Sequence, residues 1–172
     1  FVMRHSIFVT IGILLAFGVW TIPLSWWQKM TLPLFVFTVI LLMLVFMPGI
    51  GREVNGAKRW LFLGPINFQP SELMKLVSVL FAAGYVLRKQ HQMHSFVNGF
   101  LPMAFAMGFV GLLLLLEPDL GALIVIMSIS MGILFLGGIN AKVFSALVVV
   151  LMSMFLLLIW ASPWRRARLF AY

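Results

Sequence analysis

The chain has 172 residues, 63% hydrophobic and 9% charged, with no cysteine and a formal net charge of +8. A mean hydropathy of +1.14 is too apolar for a soluble domain and fits an integral membrane protein. Disulfide scaffolds and thiolate metal sites are excluded. The basic residues sit at the ends of apolar runs, so phospholipid headgroups or an anionic lipid-linked substrate suit the charge better than nucleic acid.

A helix needs roughly 20 apolar residues to cross the hydrocarbon core. By that ruler six spans are predicted, at residues 6–22, 31–47, 70–86, 96–116, 118–136 and 143–161. The fold class is therefore an all-α polytopic membrane bundle. It forms a single transmembrane domain over 1–172 with no internal repeat. Trp20, Trp26, Trp27, Trp60, Trp160 and Trp164 fall at or just outside the span ends, as an aromatic belt requires. Ala104 and Gly108 make one small-xxx-small pair on the fourth span, a signal for close packing. No cleavable signal peptide is visible, and the start at Phe1 together with the basic tail reads as part of a longer protein.

Between the second and third spans lies the longest connection, about 49–69, rich in charge, proline and glycine. It passes through Gln69-Pro70-Ser71-Glu72 into the next span. Pro70 suits the first turn of a helix, where the missing N–H costs nothing. Glu72 suits the positive end of the helix dipole, and Lys75, three residues on, shares its face. Between the fourth and fifth spans only Glu117-Pro118-Asp119-Leu120-Gly121 intervenes, a tight reversal with Pro118 in the first turn of the next helix.

Alternating spans bring Glu72, Lys75, Glu117 and Asp119 to one membrane face. Ionisable groups at such depth usually face a bundle interior and pair, so Lys75 and Asp119 are expected to be close and jointly buried in a polar cavity. The plainer alternative is a snorkelling lysine with acids capping helices in the interface. Arg52, Lys58 and Arg59 beside Trp60 form a basic, aromatic rim whose guanidinium forks suit a pyrophosphate. His5, His91 and His94 have no metal-ligand partners at useful spacing. Charge counting places Arg4, Arg52, Lys58, Arg59, Arg165, Arg166 and Arg168 on the face of the long connection, against Lys29, Arg88, Lys89 and Lys142 opposite, which would make that face cytoplasmic.

The segment VNGAKRWLFLGPINFQPSELMKL resembles the signature of the FtsW/RodA (SEDS) family. EPDLGALIV is similar to that family's (Q/E)PDLGT segment, with Ala122 in place of the usual Thr, and SPWRRARLFAY resembles the start of its large extracytoplasmic loop. The REVNGAKRW version is closer to the division branch than to the elongation branch. The resemblance implies a ten-helix bacterial cytoplasmic-membrane glycosyltransferase, of which this chain carries the second through seventh helices. It implies polymerisation of lipid II at the septum, beside a class B penicillin-binding transpeptidase, other division-complex membrane proteins and membrane lipids. It makes the 49–69 connection extracytoplasmic, against the charge count, and residues 162–172 the beginning of a second extracytoplasmic loop. Arg59, Trp60, Glu72, Lys75 and Asp119 become substrate-binding candidates. Glu72 becomes a candidate ligand for a divalent Mg or Mn ion, with no covalently bound cofactor. The family's proposed catalytic aspartate lies in a segment ending HTDF that has no counterpart here. No catalytic base is therefore assigned within the chain; it is expected beyond Tyr172, and the chain alone is expected to be inactive. A polar cavity would equally serve a lipid II transporter, and a third reading is a scaffold of the division complex.

Overall fold

The structure, a computed structural model, describes residues 2–54, 57–63 and 66–161. Every predicted apolar run is helical: α1 (Val2–Trp20), α2 (Leu24–Leu44), α3 (Pro70–Lys89), α4 (Leu101–Leu116), α5 (Leu120–Leu136) and α6 (Ala141–Trp160). The segments Leu24–Leu44, Pro70–Gln92, Phe96–Leu116 and Ala141–Trp160 are long and apolar enough to cross a membrane. Helix α5, with 17 residues, rises about 25 Å. It and the apolar stretch Val9–Trp20 fall short of that measure. The residues predicted to open a further loop, 162–172 and so Tyr172 itself, lie outside the described ones.

Helix α2 begins at Leu24, well before the predicted start at residue 31. Gln28 and Lys29 interrupt the apolar run without breaking the helix, because polar side chains are tolerated where a helix passes the membrane edge. Pro23, extended at φ −65° and ψ 144°, sets its start. The connection to α1 thereby shrinks to three residues, Thr21 to Pro23.

Helix α3 is the hub. Met74, Val77, Phe81, Ala82 and Tyr85 recur at helical spacing and are all buried. They pack α3 between α2 and α5, with Phe35 of α2 stacked on Phe81 at a centroid distance of 4.0 Å. Leu42, Met103, Leu114 and Ile126 complete a core with no exposed surface. Such close contact carries the fold, since lipid tails offer the helices no hydrophobic gain for associating. Helix α6 stands apart, with no buried residue among those described.

A single π turn, Phe96–Phe100, opens α4, and the Ser95 hydroxyl accepts from the Asn98 amide at 3.3 Å. Tyr85 Oη donates to the Gly99 carbonyl at 2.7 Å, tying this turn to α3. A Cβ on Gly99 would collide with the Gln92 carbonyl and come 2.8 Å from Met93 Cα. The expected packing notch at Gly108 is not one, because nothing stands within 4 Å of a Cβ built there. The close approach on α4 is at Gly111, where a Cβ would meet Met127 Cε at 2.6 Å.

The long connection differs most from expectation. It folds as an antiparallel sheet in the order β1 (Gly51–Val54), β2 (Ala57–Leu63), β3 (Ile66–Phe68). Arg52 pairs with Trp60 and Glu53 with Lys58, so Arg59 is one extra residue on β2, a β-bulge. Strands of three to seven residues are too short for a clear period.

Replacing Gly99 with Ala is expected to cost about 1–3 kcal/mol through overpacking against main chain. Gly108→Ala, with open space around it, should be neutral or stabilising by up to about 1 kcal/mol through helix propensity. Thermal unfolding of the full-length protein in detergent compares the two. Equal melting temperatures would contradict the packing described for the α3–α4 connection.

Candidate functional site

Three elements converge at one end of the bundle: the central strand β2, the N-terminus of α3 and the turn between α4 and α5. Gln69 precedes α3 in an extended conformation and Pro70 occupies its first turn, as the sequence predicted. On the other side of the site, Asp119 rather than Pro118 opens α5. It is the N-cap, and its Oδ1 accepts from the Ala122 amide at 3.2 Å.

The second carboxylate oxygen of Asp119 reaches across to α3. Oδ2 accepts from the Ser71 hydroxyl at 2.8 Å and from the Gln69 side-chain amide at 3.0 Å, while Gln69 also donates to Ser71 Oγ at 2.9 Å. Ser71 is fully buried and Asp119 is 7% exposed. One carboxylate therefore caps α5 and pins the start of α3, using hydrogen bonds that a poorly solvated site strengthens.

Lys75 does not join it. Its Nζ lies 2.8 Å from the Glu72 carboxylate, one turn away on the same helix. The lysine is 30% exposed and the glutamate 61%, so the predicted joint burial of Lys75 and Asp119 does not occur. A lysine three residues beyond a glutamate finds its counter-charge locally, whereas Asp119 is satisfied by neutral donors. An exposed pair of this kind adds only a few tenths of a kcal/mol and leaves the ammonium available to an incoming anion.

Arg59, half-buried, is turned inward. Its Nε donates to the Glu117 carbonyl at 3.0 Å and its Nη2 to the Pro118 carbonyl. Trp60 beside it is half-buried on β2. The expected rim thus separates into an arginine bound to main chain and a tryptophan at the surface.

Glu117 sits beneath Arg59 with no exposed surface, and neither carboxylate oxygen has a hydrogen-bond partner. Burial, reinforced by the charge of Asp119 and opposed by that of Arg59, pushes its pKa up to about 8. Sequence reasoning placed Glu117 on the correct face but missed its isolation, and it missed Ser71 and Gln69 as partners of Asp119. The run Gln-Pro-Ser-Glu held that signal, since a serine behind an N1 proline lies where a short hydroxyl can meet a neighbouring helix end.

Among the described residues no three His, Asp or Glu side chains converge as a metal-ligand group. The catalytic base, expected beyond Tyr172, has its place outside the described residues, which end at Ala161. Two open cavities lie elsewhere, one between α5 and α6 and one of about 320 Å³ between α4, α5 and α6. Their walls are apolar side chains such as Met127, Met131 and Leu151, and neither includes Arg59, Glu72, Lys75 or Asp119.

Apolar helices stacked around a polar cluster at one end define a multi-pass membrane protein. All 172 residues match the family of cell cycle proteins that comprises FtsW, RodA and SpoVE, and the chain belongs to it. It is 50% identical, along its whole length, to a probable peptidoglycan glycosyltransferase FtsW of Burkholderia thailandensis, covering 37% of that protein. With the protein of the same description from Aromatoleum aromaticum the identity is 52%, covering 42% of it. The chain thus spans about two fifths of these relatives. Its fold is similar to the crystal structure of the Thermus thermophilus rod shape determining protein RodA, with a TM-score of 0.76 and 32% identity over 90% of this chain and 49% of that one. It is also similar to a chain of a peptidoglycan synthase complex described as coordinating polymerization and crosslinking, with a TM-score of 0.74 and 32% identity over 98% of this chain and 49% of that one.

Folded Glu117 keeps a proton that an unfolded glutamate, with a usual pKa of 4.5, would release. The folded state therefore binds more protons between about 4.5 and 8, and stability falls as pH rises through that window. Glu117→Gln removes this dependence. Thermal unfolding of the full-length protein from pH 5 to 9 should show the variant gaining on the wild type as pH rises. A melting-temperature difference that stays constant with pH would contradict the buried carboxyl.

Proposed function

We propose that the full-length protein is a peptidoglycan glycosyltransferase that polymerises lipid II during septal wall synthesis in the bacterial cytoplasmic membrane. The observation that carries this reading is 50% identity along the whole chain to a protein named for that activity. In this reading the β1–β3 sheet is extracytoplasmic, where the sugars and pyrophosphate of lipid II are presented. The wrong-way charge balance then has a use, since basic groups kept on that side bind anions.

The chemistry is attack of a sugar 4-hydroxyl on an anomeric carbon as undecaprenyl pyrophosphate leaves. Developing charge on the leaving pyrophosphate needs fixed cations. Lys75 supplies a partly exposed ammonium whose partner Glu72 is itself exposed, so a phosphate oxygen can compete for it. Trp60 and Glu72 lie at the same end of the bundle, with Asp119 almost wholly buried beside them. Glu72, an exposed carboxylate, would be the residue to hold a Mg or Mn ion, which would supply positive charge to the leaving pyrophosphate. Asp119 is committed to three donors and Glu117 is enclosed. The family resemblance places the base that accepts the hydroxyl proton in a segment of the full-length protein beyond Tyr172. Lipid II, membrane lipids, a class B penicillin-binding transpeptidase and other division-complex membrane proteins are the partners this reading requires.

Purified full-length protein with its transpeptidase partner should convert lipid II to glycan polymer, and Lys75→Ala should slow it by about 100-fold. Movement of labelled lipid across vesicles without polymer would favour a transporter instead. Cysteine at Asn55 should react with an impermeant thiol reagent in intact spheroplasts, and labelling only after the membrane is opened would overturn the orientation.

A further inference from the structure

Arg59 occupies an unusual position on its strand. It is the unpaired residue of the β2 bulge, between the pairs Arg52–Trp60 and Glu53–Lys58. Bulges re-aim a side chain, and here the guanidinium lands on two consecutive main-chain carbonyls, those of Glu117 and Pro118. Glu117 is the C-cap of α4, where unsatisfied carbonyls concentrate negative partial charge. A planar fork with several fixed N–H groups suits two neighbouring carbonyls, whereas a lysine offers only a point charge.

The next residue after that pair is Asp119, the carboxylate that joins α5 to α3. Its own amide donates to the Leu114 carbonyl at 2.8 Å, so the turn is short and continuous with α4. Sheet, turn and carboxylate are therefore linked in series by Arg59 on one side and Ser71 on the other. Beneath the link lies the side chain of Glu117, fully buried and with no hydrogen bond to either carboxylate oxygen.

We infer that Arg59 is a positioning residue, which clamps the β1–β3 sheet to the α4–α5 turn and so fixes Asp119 and the rim carrying Trp60 as one body, rather than a ligand of the substrate's phosphates. The contact stands on the geometry alone, and only its kinetic consequence rests on the polymerase reading above. Loss of the clamp loosens the end of the bundle at which, in that reading, the reacting groups must be aligned. Misplacement by about 1 Å in such a site costs about 100-fold in rate.

The test uses the full-length protein in nanodiscs with its transpeptidase partner. Spin labels replace Lys58 on the sheet and Leu116 at the end of α4, both exposed, and their distance distribution is measured by pulsed electron resonance. The wild type should give a narrow distribution, broadened in both Arg59→Ala and Arg59→Lys. In lipid II polymerisation the same variants should lose about 100-fold in kcat with KM changed by less than about threefold, and lysine should restore little. An unchanged distance distribution would overturn the clamp. So would a KM raised tenfold or more with kcat kept and rescue by lysine, the signature of direct anion binding. If the wild type makes no polymer, the polymerase reading fails by itself, and the distance measurement still decides the clamp.

Discussion

A carboxylate held almost out of water must be fully partnered or neutralised, and the site is arranged around the way Asp119 meets that demand. One oxygen takes the Ala122 amide in the first turn of α5, and the other takes the Ser71 hydroxyl and the Gln69 side-chain amide at the start of α3. Both helix N-termini lend positive potential to the same charge. The result is a junction between two helices far apart in sequence, made by three neutral donors and one anion. It fixes the start of α3, whose first turn carries the exposed Glu72 and whose next carries the partly exposed Lys75.

The other connections fit around this junction. Because Asp119 is satisfied without a cation, Lys75 is left at the surface with Glu72, where an anionic ligand can reach it. Because Arg59 is committed to carbonyls, the sheet is fastened to the turn. Glu117 fills the space between as a buried acid, which makes this end of the bundle sensitive to alkali. The apolar cavities beside α6 lie away from all of these groups.

The helices were legible because each apolar run exceeds what a soluble helix needs, and composition alone then decides the class. Their ends were less so. Gln28 and Lys29 looked like a boundary but lie inside α2, since polarity marks the membrane edge and not the helix end. The sheet was hidden, although the sequence carries Asn55-Gly56 and Gly64-Pro65, dipeptides of a kind that favours turns. A charged, glycine-rich stretch between two spans reads as loop until its own backbone hydrogen bonds are counted. For the site, spacing put the four ionisable groups Glu72, Lys75, Glu117 and Asp119 on one face, and the structure keeps them at one end. Pairing was beyond reach of spacing. Opposite charges suggested Lys75 with Asp119, but local geometry gave the lysine to Glu72, and neutral hydroxyl and amide donors took the aspartate.

The junction at Asp119 is tested most directly by a double-mutant cycle with Ser71→Ala and Asp119→Ala, read by unfolding of the full-length protein. If the hydroxyl and the carboxylate hold α3 and α5 together, the two losses are not additive, with a coupling energy of about 1–3 kcal/mol. Losses that simply add, within about 0.3–0.5 kcal/mol, would show that the two side chains are independent and that this end of the bundle is held some other way.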